Sequence, residues 1–199
     1  MSKNFTALAS HPFKAGVGIS RPSQALPQNV TLNDPATNVM TDLRSVSVVN
    51  VRAKTTLEKA NDKMIRYGVR MLLVMDDTDK VTGLLTATDV LGEKPVRFLK
   101  QMGGTHADIL VSDVMTVQQE LEVSKLEDVQ KARVGDILAT LKASGRQHAM
   151  VVEENADGSQ TVRGLFSATQ IARQLGVKVK TAEVAKVFAE IEAAVSAQQ

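Results

Sequence analysis

The sequence predicts an α+β fold. Two copies of a strand-helix-strand-strand-helix unit pack sheet to sheet, with an extended N-terminal arm before them and an amphipathic helix after them. Three observations predict it. A Val-Met-Thr opening stands at Val39-Met40-Thr41 and again at Val114-Met115-Thr116. A helical apolar stripe, a short apolar strand and an acidic turn follow each opening in the same order. Each copy then closes on a glycine-led strand, Gly83-Leu84-Leu85-Thr86 and Gly164-Leu165-Phe166-Ser167.

Residues 1–38 are the arm. Four of the five prolines (Pro12, Pro22, Pro27, Pro35) fall there. Proline fixes φ and removes a donor, so neither helix nor central strand is sustained. The first repeat occupies 39–100. Val46–Val51 reads as its first strand, and Leu57, Ala60, Met64 and Ile65 as the apolar face of its helix, which stops at Gly68. Met71–Met75 is an apolar strand, Asp76–Lys80 a turn, and Val81–Thr86 the last strand before a short helix. Leu91 to Gly104 reads as a linker. The second repeat, 101–176, repeats the pattern: strand Leu121–Val123, helix face Val134, Ile137, Leu138 and Leu141, stop at Gly145, and strands Ala149–Val152 and Val162–Ser167. Its charged stretch Ser124–Lys131 is expected to be a surface excursion. The matching methionines lie 75 positions apart and the matching glycines 81, a difference that sits partly in the longer second hairpin. In 177–199, Thr181 is a candidate cap for a helix carrying Val184, Val187, Phe188, Ile191 and Val195 on one face. That stripe is expected to be buried, with the interface of a homodimer as its reading.

Composition narrows the function classes. The 199 residues include 24 Lys and Arg against 22 Asp and Glu, a net charge of +2, and aromatics make up 3%. Near-neutral charge and few stacking rings make nucleic acid an unlikely partner class. No apolar run reaches the ~20 residues of a membrane span, and the N-terminus lacks the apolar block of a signal peptide. A cytoplasmic protein is the expectation. Cysteine is absent, and His11, His106 and His148 are scattered, so no metal site is expected. Gly16 and Gly18 lack a third glycine and a flanking strand, and no Walker sequence or nucleophile elbow occurs. Catalytic residues are therefore expected to be none, and an enzyme is the least favoured class.

The doubled Val-Met-Thr, apolar strand and Gly-x-x-Thr/Ser pattern resembles tandem cystathionine-β-synthase-type (CBS) repeats, a Bateman module, over about Val39–Gly176. The linker through Gly103-Gly104 into Asp108–Thr116 looks like that of stand-alone bacterial members. The resemblance implies a regulatory sensor module that binds an adenosyl nucleotide (AMP, ADP or ATP) between the repeats, with no prosthetic group, and modulates a separate, unknown protein partner. It also implies pairing into a flat dimer.

It further implies site residues. Thr86 and Asp89, in Gly83-Leu-Leu-Thr-Ala-Thr-Asp89, match the family's ribose-binding hydroxyl and carboxylate. His148 and Arg146, just before the apolar strand of the other repeat, stand where phosphate contacts arise, and adenine is expected against Leu121 and Val123. The residues themselves leave other readings open. Asp89 also suits a first-turn acid complementing a helix dipole, His148 a polar residue at the start of a strand, and Arg146 a solvated side chain. The second repeat has Gln170 where the acid is expected, so one competent site per chain is expected, with Arg70 serving the weaker one. The alternative function is a ligand-free structural dimerisation module, with the arm and terminal helix as its working surfaces.

Overall fold

The computed structural model describes residues 8–12, 14–20, 22–179 and 184–196. The first repeat holds β1 (Thr41–Asp42), β2 (Asn50–Arg52), α1 (Leu57–Tyr67), β3 (Met71–Met75), β4 (Val81–Thr86), α2 (Ala87–Leu91) and α3 (Glu93–Met102). After α4 (Val111–Val114) and β5 (Thr116–Val117) come β6 (Val123–Lys125), α5 (Leu126–Val129), α6 (Val134–Ala143), β7 (His148–Glu154), β8 (Gln160–Ser167), α7 (Ala168–Gln174) and α8 (Val184–Ser196).

Each sheet has four strands, one more than the repeat pattern predicts, because the opening strands are exchanged. The orders are β2-β3-β4-β5 and β1-β8-β7-β6. Strand β1 of the first repeat lies antiparallel to β8 of the second, Thr41 opposite Leu165, and β5 lies against β4, Thr116 opposite Leu84. The Val-Met-Thr openings therefore link the two repeats. A Cβ at Gly83 would lie 2.7 Å from the Thr116 carbonyl oxygen, and one at Gly164 would lie 2.6 Å from Met40 Sδ. The two closing glycines give the incoming strands room to approach.

Local sequence accounts for the helices. Thr56 caps α1 by accepting from the Lys59 amide, and Gly68 ends it at φ 63. Leu57, Ala60 and Met64 are buried, but Ile65 is 71% exposed. At 100° per residue, Ile65 lies about 80° to 140° away from the other three, off their stripe. The stretch read as a linker is α3, whose Pro95 falls in the first turn, where its missing N–H costs nothing. The expected surface excursion in the second repeat is instead strand and helix, anchored by buried Val129. Of the expected strand Val46–Val51, only Asn50–Arg52 pairs as strand.

Period-two alternation splits each sheet between two cores. Leu72, Val74 and Leu85 join Leu57, Ala60 and Met64 beneath the helices of the first repeat, while Val151 and Phe166 join Ile137, Leu141 and Ile171 in the second. Met71, Leu73 and Leu84 cluster with Met150, packed against Leu165 and Val162, between the repeats. The expected sheet-to-sheet packing is this third cluster.

The end of the 1–38 arm is built into the second repeat. Val30 and Ala36 are buried, the Ala36 amide donates to Ala132 O, and the Val134 amide donates to Asp34 O. Gln174 donates from Nε2 to Pro27 O and Asn38 O. Helix α8 also folds back on its own chain. Val187, Phe188 and Ile191 are buried in the core of the second repeat, and Lys142 pairs with Glu192. This corrects the expectation of a dimer interface, since the stripe is already covered. Helix α6 accepts it because its outward positions include Leu138, Ala139 and Ala143, where α1 carries Asn61, Asp62 and Arg66. Thr181 lies outside the described residues. No helix among the described residues is long and apolar enough to cross a membrane.

Candidate functional site

Between the repeats lies a cleft lined by Arg70, Thr86, Thr88 and Asp89 from the first repeat and by Leu121, Glu122, Arg146, Gln147 and His148 from the second. Thr116, on the exchanged strand β5, also reaches it. Five of the six sequence-predicted residues are therefore brought together: Thr86, Asp89, Leu121, Arg146 and His148. Val123 is not. It lies two residues along the strand from Leu121, about 7 Å further on, and lines a neighbouring groove with Leu43, Val48 and Val152.

Asp89 is held tightly. The Thr86 amide and hydroxyl donate to its Oδ2 at 2.8 and 2.6 Å, and the Asp89 amide donates back to Thr86 Oγ1 at 3.3 Å. This is a capping box at the start of α2. Lys94 Nζ sits 2.7 Å from Asp89 Oδ1 and donates also to Val114 O at 3.0 Å. A carboxylate offers about four lone-pair sites, and three are used. One remains, on Oδ1, so the expected pair of ribose hydroxyls cannot both be accepted while Lys94 stays in place. The helix-start reading of Asp89 and its cleft-lining position hold together.

Lys94 was not legible in the sequence. It lies five positions after Asp89, beyond the break between α2 and α3 at Gly92 (φ −90°, ψ −153°), and only the fold-back of α3 returns its ammonium to the carboxylate. Arg70, assigned in sequence to the other site, lines this cleft as well. Arg146 Nη2 donates to Glu120 O at 2.9 Å, which pins the exposed guanidinium over the turn before Leu121.

His148 is not a cation at neutral pH. Burial, followed by the nearby Arg70 guanidinium, pushes its pKa down to about 4 against a smaller opposing pull from Asp89. It offers an imidazole N–H and a lone pair; the positive charge near a phosphate would come from arginine. In the unfolded chain the ring takes a proton near pH 6.5, whereas the folded ring resists until about 4. Stability is therefore lost as pH falls through that window, by up to about 3 kcal/mol. Urea midpoints at pH 7.5 and 4.5 are expected to fall further for the parent than for His148→Gln. Equal falls would contradict a neutral buried ring.

The same dyad of repeats makes a second cleft, where Ser167 and Gln170 stand in the places of Thr86 and Asp89. Gln170 Oε1 accepts from Thr41 Oγ1 at 3.4 Å. Among the described residues, no group of three or more His, Cys, Asp or Glu is placed to hold a metal ion.

Two repeats clasped across their sheets, with opening strands exchanged and a cleft on each side, define a paired-repeat module. The CBS domain family matches residues 36–95 of this chain. No curated protein matches it. Among solved structures, an uncharacterized conserved protein from Pyrococcus horikoshii is similar at 20% identity, over 77% of this chain and 100% of that one, with a TM-score of 0.54. A conserved CBS domain protein of unknown function from Thermoplasma acidophilum matches at 18% identity, 77% of each chain and a TM-score of 0.50. The CBS domain pair of protein MJ0100, solved in complex with 5′-methylthioadenosine and S-adenosyl-L-methionine, matches at 14% identity, 73% of this chain and 98% of that one, with a TM-score of 0.50. That family match spans the first repeat, and the chain as a whole has the fold of the CBS domain pair of MJ0100.

Proposed function

We propose that this protein is a regulatory module that binds an adenosyl nucleotide in the cleft of Thr86 and Asp89 and passes the signal to a separate protein. The observation that carries this reading is the convergence of a carboxylate and hydroxyls from one repeat with Arg146, Gln147 and His148 from the other. The ribose contacts Asp89 Oδ1 and the Thr86–Thr88 turn. Arg146 and Arg70 meet the phosphate, His148 donates from its neutral ring, and the base lies against Leu121. That a CBS pair of the same fold holds adenosyl compounds supports the ligand class. Because the cleft walls come from both repeats, a ligand that prefers one inclination of the repeats shifts the population toward it.

Calorimetric titration with AMP, ADP, ATP, 5′-methylthioadenosine and S-adenosylmethionine tests this reading. At least one is expected to bind the parent, and Asp89→Asn and Arg146→Gln are each expected to weaken it about tenfold, the ~1.4 kcal/mol of a charge-assisted hydrogen bond. A parent that binds none of the five, or a folded Asp89→Asn variant with parental affinity, would sink the reading.

A further inference from the structure

The two exchanged strands are held by different means. Strand β1 is fastened to the second repeat by charge. Asp42 pairs with the Arg163 guanidinium, Arg163 Nε lies 3.6 Å from Glu153 Oε2, and Glu153 pairs with Arg44 at 2.7 Å. Strand β5 is the counterpart of β1 in the other sheet, with Val117 opposite Gly83 as Asp42 is opposite Gly164. The places of Asp42 and Arg163 are filled there by Val117 and Thr82, which carry no charge and form no ion pair. The Thr82 hydroxyl turns instead to Val74 O, at 3.3 Å. The root of β5 is tied by Lys94 of α3.

Lys94 bridges two groups. Its Nζ lies 2.7 Å from Asp89 Oδ1 and donates to Val114 O at 3.0 Å. Val114 is the last residue of α4, and its carbonyl is among the acceptors that a helix end leaves without an intrahelical partner. Two residues further on, Thr116 opens β5 and lines the first cleft with Asp89. The ammonium thus connects the carboxylate of the cleft to the root of the exchanged strand. It takes one of the two lone pairs of Oδ1, while Oδ2 is spent on Thr86. The Lys94 side chain is 44% exposed, so water can receive the ammonium when the carboxylate is taken.

We propose that Lys94 is a latch: it ties Asp89 to the root of β5, and a ligand diol that takes Asp89 frees that strand. The trigger rests on the adenosyl reading of the first cleft; the latch itself does not. Two vicinal ribose hydroxyls need both lone pairs of Oδ1, so they compete with the ammonium for one atom. A lysine ammonium is strongly hydrated and sits on a flexible stem, so without Asp89 it exchanges Val114 O for water. Strand β1 keeps its ion pairs throughout, which confines the loosening to the β5 side of the clasp. A ligand that binds the freed state better shifts the population toward it.

The test compares backbone hydrogen exchange across 115–117 and across 41–43 in the full chain without ligand. Lys94→Met is expected to speed exchange across 115–117 by about fivefold or more, the lower end of coupling between sites, and to leave 41–43 unchanged. Asp89→Asn is expected to do the same, and the Lys94→Met/Asp89→Asn double variant to go no further than the faster single one. Lys94→Arg, which keeps the charge, is expected to exchange at the parental rate. Calorimetry then uses 5′-methylthioadenosine, a diol without phosphate. Lys94→Met is expected to bind it about fivefold tighter than the parent, a gain that lost packing would not give. Unchanged exchange across 115–117 in Lys94→Met, additive acceleration in the double variant, or parental or weaker affinity in Lys94→Met would each overturn the proposal. If neither the parent nor Lys94→Met binds the probe, the adenosyl reading and the trigger fall together, and the exchange cycle still decides the latch.

Discussion

Phe188→Ala is expected to lower the unfolding free energy by about 3–5 kcal/mol, the range for truncating a buried phenylalanine. For a chain of this size that corresponds to a fall in Tm of about 10 °C. Phe188 is 5% exposed, beside Val187 at 0% and Ile191 at 3%, and all three join the core that holds Leu138, Leu141 and Ile171. The truncation leaves a void against α6 and α7 that packed neighbours fill only in part. The contacts lie within one chain, so the fall in Tm is expected to be the same at protein concentrations a hundredfold apart. A variant that keeps the parental Tm when concentrated and loses it on dilution would place α8 between subunits instead.

Gly83→Val is expected to cost about 3 kcal/mol or more, at or beyond the upper end of overpacking effects. The new Cβ would meet Thr116 O at 2.7 Å and Met115 Sδ at 3.0 Å. The first of these is backbone, fixed by the pairing of β5 with β4, so relief means parting the exchanged strand. Gly164 provides the internal contrast. Its nearest neighbours are Met40 Sδ, Cγ and Cε at 2.6, 2.8 and 3.2 Å, all side chain. In Gly164→Ala, the additional change Met40→Ala is expected to recover part of the loss, a coupling of about 1–2 kcal/mol. Met115→Ala is expected to give Gly83→Val little relief, because the Thr116 carbonyl remains. Denaturant melts of the four single and two double variants supply both cycles. Equal rescue at the two glycines would show that Thr116 yields as easily as a thioether, and would remove the claimed rigidity of the exchange.

The sequence alone determined the repeat and its main helices and central strands, but not α3, β6 or α5. Helical and strand periodicities are local, so Leu57, Ala60 and Met64 on one stripe and Met71–Met75 as a strand could be read directly. The positions of Thr86, Asp89, Arg146 and His148 followed from the resemblance to CBS repeats, and the fold places all four on one cleft. Only the tertiary structure decided which sheet takes each opening strand, because a two-residue strand such as Thr41-Asp42 or Thr116-Val117 carries no alternation that names its partner. It also decided that Lys94 returns to Asp89, that the apolar stripe of α8 is covered by α6, and that burial leaves His148 uncharged. Each of these depends on groups that are distant in sequence or on the exclusion of water. Neither the path of a chain back onto itself nor the dielectric around a side chain is written in the spacing of residues.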